Sequence, residues 1–366
     1  MRISTVIAVT FALLAAAFCP PAWADDAAVP ARIRRLGGKV ELDAAKRVVK
    51  VDLMNIETSD EDVAAIATLG DLAWLRLWGA GITDDSVRKL CKLPRLKNLQ
   101  LLFTSMTDQG ADCLAGMTGL EALDLRGCAR LDDRALVPIE KLTRLSNLKL
   151  QTPGVTDAGI DHLLPLRGLT TLALEQAALG PAGLKKLAGL AKLEDLSFLE
   201  CQTLSDEAVA CLAPLAALKR LSLRGTPIDG SGLAHLRTAG LEKLDLSQTN
   251  TGDKALESLA RASALKWLNL WCTQVGDGGL KHLAGLPKLA WLNLENTRIA
   301  DAGLAHLARL GGLENLNLRQ TDVTDAGLGH LKRLTGLKEL SLGVTSVSDA
   351  GAAGLRAALP RCQIAR

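Results

Sequence analysis

Three residue types recur in this chain at spacings that invite chemistry. All five histidines, His162, His235, His282, His306 and His330, share one position of a repeating segment, and the last three are 24 residues apart. Aspartates recur in the same manner, among them Asp84, Asp108, Asp157, Asp206, Asp301, Asp325 and Asp349. A ladder of imidazoles suggests a transition metal, and a column of carboxylates suggests calcium. Neither fits the spacing. Neighbouring helices pack roughly 8–10 Å apart, too far to share an ion whose ligands lie at about 2 Å. One Asp per copy is also too few for calcium, which takes about six to eight oxygens. The Asp column is instead expected to cap helix starts, accepting backbone N–H groups at the positive helix end. No metal site is expected.

Cysteine is the next candidate. Beyond Cys19 there are seven: 91, 113, 128, 201, 211, 272 and 362. Cys128 and Cys201 share one column three repeats apart, and Cys113 and Cys211 share another four repeats apart. Bridged cysteines need Cα atoms within about 7 Å, which column mates several repeats apart cannot reach. Free, mostly buried thiols are the expectation. No C-x-x-C occurs, and neither do G-x-S-x-G, H-E-x-x-H or a phosphate-cradling Gly loop. The carboxylates and histidines recur by column rather than converging on one pocket, so no catalytic residue, cofactor or enzymatic activity is expected.

Tryptophan remains. The chain is 48% hydrophobic but only 3% aromatic, with no Tyr, so aromatic side chains are not its usual core filler. Trp74, Trp78, Trp267, Trp271 and Trp291 all fall around one motif, L-x-x-L-x-L. The elements that carry it repeat. A leading Leu recurs at 72, 96, 120, 145, 169, 193, 218, 241, 265, 289, 313 and 337, mostly 24 residues apart. Each copy continues through a Thr (104, 152, 226, 249, 273, 297, 321, 345) into T-D-x-G-L-x-x-L. Period-two Leu marks a short strand, and Leu spaced by three after the Asp marks a short helix. A period of this size means a stacked solenoid of α/β repeats. The Thr hydroxyls are expected to bond neighbouring turns.

These copies resemble leucine-rich repeats, of the short-helix kind similar to ribonuclease-inhibitor-like repeats and the cysteine-containing repeats of F-box substrate receptors. The resemblance spans about residues 48 to 364. It implies an arc with a concave parallel β-sheet and convex helices. No F-box precedes the repeats, so a ubiquitin-ligase role does not carry over. The cysteine-bonded caps of extracellular leucine-rich-repeat receptors are not seen in these copies, and no kinase, membrane-spanning or enzymatic partner domain is expected.

Residues 1–24 read as a signal peptide: Arg2, an uncharged stretch from Ile3 to Phe18, then Ala22-Trp23-Ala24 before Asp25. Residues 25–47 are expected to form an N-terminal segment and capping hairpin, with strands around Val40–Leu42 and Val48–Leu53. Residues 48–366 then form about twelve full repeats with terminal half-repeats. Cys362 falls in the leading-Leu column and is expected to pack in the core. The chain carries 43 Lys and Arg against 40 Asp and Glu. That balance is too even to favour nucleic acid or an anionic membrane. No membrane span is expected after signal cleavage.

Strand alternation sends the residues flanking the second and third Leu to the concave side. Two exposed aromatic patches are expected there, eight copies apart. The first comprises Trp74, Arg76, Trp78 and Phe103; the second comprises Trp267, Asn269, Trp271, Trp291, Asn293 and Glu295. Trp267 and Trp291 should stand side by side, since strands are about 4.8 Å apart. Trp is enriched at binding hot spots. The expected function is an exported, non-enzymatic scaffold binding a protein or peptide on this face. The alternative is a glycan or cell-wall polysaccharide held by the Trp patches.

Overall fold

A computed structural model describes residues 28–366, so the expected signal peptide at 1–24 lies outside the described residues. The described residues form one sheet of 15 strands, ordered along it as in the chain. The first pair, Lys39–Leu42 and Val48–Glu57, is antiparallel. Each following pair is parallel, from Lys50↔Trp74 to Leu340↔Ile364. Each strand turns its Leu inward: around Trp291–Asn293, Leu289, Leu292 and Leu294 are all buried. The Leu of the helical half meet them, and one continuous apolar core runs from Val29 to Ile364. Stacking produces that core, because no single copy could bury its own apolar face.

An N-terminal helix, Ala28–Arg35, packs Val29 and Ile33 onto the first turn of this core. Arg32 Nε donates to Asp62 at 2.6 Å, and Asp62 also closes a capping box with Ser59 on the helix Asp60–Ile66. Cys362 is buried at the far end. The convex elements are short and of two kinds, α-helical in Asp301–Leu307 and 3-10 in Gly159–Leu163.

The aspartates act differently from the sequence-based expectation. Asp84, Asp301 and Asp349 are the first helical residues, one beyond the cap, and caps such as Thr83 and Ser348 precede them. Their carboxylates reach the next repeat instead. Asp84 accepts from Thr107 N at 2.7 Å, Asp277 from Ala300 N at 2.8 Å and Asp301 from Thr324 N at 2.8 Å. Where the receiving residue is Thr, its hydroxyl donates as well, at 2.6 Å from Thr324 to Asp301. The T-D-x-G motif is thus an inter-repeat ladder. Thr donates backward, Asp accepts from the following copy, and Gly leaves room for the preceding Asp. A Cβ on Gly303 would overlap the Asp277 carboxylate, and one on Gly327 would overlap that of Asp301.

The Thr column also departs from expectation. The hydroxyls of Thr226, Thr249, Thr273, Thr297, Thr321 and Thr345 donate three residues back within their own copy, as in Thr297 to Leu294 O at 2.6 Å. The strand has just ended, and that carbonyl is the nearest free acceptor. Two members meet the expectation of bonding neighbouring turns: Thr152 donates to Leu131 O of the preceding copy, and Thr104 lies 3.1 Å from Cys128 Sγ of the following one. Cys128 and Cys201, which replace Thr, instead point their thiols at Leu101 O and Leu174 O of the preceding copy. Burial pushes the Cys201 thiol up to about 12, so it is inert at neutral pH.

The expectation of unpaired cysteines is corrected at one place. Cys91 and Cys113 form a disulfide, with Cα atoms 6.0 Å apart and a sequence separation of 22. They sit on the convex elements of adjacent copies, Cys91 capping the helix Asp84–Leu90 and Cys113 within Asp112–Gly116. Comparing only residues in the same column overlooked neighbours offset by about two positions between adjacent copies. Cys128, Cys201, Cys211, Cys272 and Cys362 are free.

The residue before the Thr column turns the chain with a left-handed backbone. Asn296, Gln320 and Val344 have φ of 53°, 52° and 58°. Asn tolerates this conformation, but a β-branched residue pays a steric cost of about 1–2 kcal/mol. Val344 is also 72% exposed, so little packing offsets it. Val344→Asn is expected to stabilise the chain by about 1 kcal/mol in a urea or thermal unfolding comparison.

Candidate functional site

Register places the two patches on one face. Trp267 pairs with Trp291 and Asn269 with Asn293 in adjacent strands. The indoles of Trp267 and Trp291 stack with ring centroids 4.4 Å apart and planes 8° from parallel. Lys243, 24 residues earlier in the same column, places its ammonium 4.2 Å from the Trp267 ring centroid. Both faces of Trp267 are therefore covered, one by a cation and one by an indole. Arg224 lies 5.4 Å from the ring of Trp271. Cations over indole faces are held by the ring quadrupole and fix the ring's orientation.

The polar residues of this patch are largely committed to holding the strand ends. Asn269 Oδ1 accepts from Trp271 N at 3.2 Å, and Asn293 Oδ1 from Glu295 N at 3.0 Å. Glu295 receives Asn317 Nδ2 at 2.9 Å and lies 3.4 Å from Arg319. It is not a free acid waiting for a partner.

The first patch is built on the same plan. Lys50 and Arg76 lie 4.9 and 5.3 Å from the Trp74 ring centroid. Arg76 Nε also donates to Asp52 at 2.8 Å. Burial alone would raise the Asp52 carboxyl, but its bonds from Arg76 and Met54 N–H prevail and hold it below the usual carboxylate range. Trp78 and Phe103 meet at 6.4 Å in a tilted pair. Phe103 is 53% exposed and lies against the backbone of Gly127, where a Cβ would collide with its ring.

The five indoles were expected to be exposed, and each is only partly so. Stacking covers a face of Trp267 and of Trp291, cations lie over Trp74, Trp267 and Trp271, and Trp78 meets Phe103. Sequence reasoning missed Lys50 as a site residue and did not connect Lys243 or Arg224 to the rings. The signal was present: Lys50 precedes Trp74, and Lys243 precedes Trp267, by one 24-residue period. The patches lie eight strands apart, roughly 40 Å along the sheet. Between them Asp124 and Arg126 form a bidentate pair at 3.0 and 2.8 Å, and Glu175 lies nearly buried on the same face. Among the described residues, no group of three or more His, Cys, Asp or Glu could hold a metal ion.

No protein-family model matches this chain, and no curated protein does. Solved structures do match. An internalin from Listeria monocytogenes is 21% identical, covers 92% of each chain and superposes with a TM-score of 0.56. A leucine-rich repeat protein of Leptospira interrogans is 17% identical over 86% of this chain and 96% of its own, with a TM-score of 0.52. The ectodomain of the Arabidopsis receptor kinase HAESA, solved with an IDA peptide hormone, is 18% identical over 92% of this chain and 68% of its own, with a TM-score of 0.52. At these identities the likeness concerns the fold. The chain is a leucine-rich repeat solenoid of α/β class.

Proposed function

We propose that this chain is an exported, non-enzymatic scaffold that binds a protein or peptide across its concave face, with Trp267 and Trp291 as the principal anchor. The stacked pair under Lys243 carries this reading. Rings locked before binding lose little freedom on binding, and Trp is the residue most enriched at binding hot spots. The internalin and receptor neighbours belong to a fold that presents such a face, and HAESA was solved holding a peptide. Export draws support from the Cys91–Cys113 disulfide, because such bonds persist in oxidising compartments. Among the described residues no helix is long and apolar enough to cross a membrane.

A glycan is the weaker reading. Sugar rings stack on open aromatic faces, whereas Trp267 and Trp74 have theirs occupied by protein groups. The test compares wild type with Trp267→Ala/Trp291→Ala for capture of exported proteins and of polysaccharides. Protein capture is expected to weaken about 30-fold, the equivalent of about 2 kcal/mol, with polysaccharide retention unchanged. Loss of polysaccharide retention alone would favour the glycan, and no change in either would remove the pair from the site.

A further inference from the structure

We propose that Glu175 is the seat for a basic side chain of the partner, placed between the two aromatic patches. The inference rests on the concave-face reading above and adds the chemistry of the middle of that face.

The strand Thr171–Glu175 turns Leu172 and Leu174 into the core, so alternation sends Thr171, Ala173 and Glu175 to the concave side. Glu175 is only 8% exposed. Among the described residues its carboxylate accepts no hydrogen bond and joins no ion pair; only its backbone carbonyl is used, by Thr152 N. Neither oxygen is fully shut off from solvent. A carboxylate at this depth is ordinarily paired, because burying an unpaired charge is costly.

The neighbouring cations do not fill the role. Arg126 is committed to Asp124 through both Nε and a terminal nitrogen. Lys149, on the adjacent strand, makes no ion pair with Glu175. Glu200, the other nearby acid, already receives Gln176 Nε2 at 2.9 Å. Burial pushes the Glu175 carboxyl above its ordinary value; Arg126 and Lys149 pull it down, and Asp124 and Glu200 push it up. Its own strand and the next two carry small residues in the middle concave column, Ala173, Ser197 and Ser222, which leave a shallow floor leading toward Lys243 and Trp267. A pit of about 200 Å³ opens along that floor among Asp195, Ser197, Arg220, Ser222, Lys243 and Asp245. Four strand steps, roughly 19 Å, separate Glu175 from Trp267, a span that a short extended segment covers. A metal ion is a poor occupant, because one carboxylate supplies too few ligands.

The test uses the chain with N-acetyl-arginine amide as probe and the uncharged isostere N-acetyl-citrulline amide as control, followed by amide NMR. The arginine probe is expected to give saturable shifts in Thr171–Glu175 and the strands beside it, and citrulline none. Glu175→Gln should weaken the arginine response at least tenfold. Absence of a saturable response in wild type, or an equal response in Glu175→Gln, would overturn the proposal.

Unfolding supplies a second readout. A carboxyl raised by burial destabilises the fold where it is charged, and this cost fades as pH falls through the raised value toward the unfolded one. Glu175→Gln is therefore expected to melt above wild type at pH 7 and to match it in acid. Arginine should narrow the gap at pH 7 by stabilising wild type alone. A variant that melts below wild type at pH 7 would show an internal partner for Glu175 and sink the idea. Trp267→Ala/Trp291→Ala should keep the full arginine response, so failure at Glu175 and failure at the aromatic anchor are read separately.

Discussion

Asp301→Ala is expected to destabilise the solenoid by about 3 kcal/mol, the largest loss from any single exchange considered. The Asp301 carboxylate accepts both the backbone N–H and the hydroxyl of Thr324 in the next copy, at 2.8 and 2.6 Å. Bonds to a charged acceptor contribute more than neutral ones, and removing the carboxylate strands a half-buried N–H. Stability in a solenoid is carried by contacts between neighbouring copies, so the loss falls on the interface that couples one half of the stack to the other. Urea unfolding would show a lower midpoint. A lower slope as well would indicate that the two halves have begun to unfold separately. The geometry also predicts a coupling. Gly327→Ala should be costly in wild type, because its Cβ would overlap Asp301, and less costly in the Asp301→Ala background. Additive losses would mean that the Gly column is not there to make room for the Asp.

The second large effect concerns the bond between Cys91 and Cys113. Closing a loop of 22 residues corresponds to roughly 3 kcal/mol in the chain-entropy description of disulfides. The Cys91→Ser/Cys113→Ser variant is expected to lose about that much, and wild type under reductant should approach it. The sensitive readout is local. Hydrogen exchange in the strands Trp74–Trp78 and Asn98–Leu102 should accelerate, while strands beyond Trp267 keep their protection. No loss of stability, or an even loss along the whole chain, would show that the bond does not clamp the N-terminal copies.

The candidate site was partly legible before any coordinates. The pairing of Trp267 with Trp291 follows from period and alternation, because residues one period apart in a parallel solenoid must be neighbours. The clasping of Trp74 by Lys50 and Arg76 was also within reach, since Lys50 is one period away. Glu175 was not. Its column runs Arg126, Gln151, Glu175, Leu199 and Arg224, and which polar member lies deep and unpaired depends on where the neighbouring side chains lean. Asn269, Asn293 and Glu295 illustrate the converse. They look like recognition groups in the sequence, yet the two Asn side-chain oxygens hold their own strand ends and Glu295 takes Asn317.

The sequence by itself determined the stack: its period, its strand and helix halves, which Leu face inward and which residues share a column. That much follows because a short strand and a short helix obey strict periodicities and neither can bury its apolar side alone. Only the tertiary structure decided how adjacent copies touch. It turned the Asp column from helix caps into inter-repeat bonds, returned six of the eight Thr hydroxyls to their own copy and joined Cys91 to Cys113. It also half-buried the tryptophans, three of them beneath cations, and left Glu175 without a partner among the described residues. Those outcomes depend on offsets of one or two residues and a few ångströms between neighbouring copies, and a repeat read along one column does not contain them.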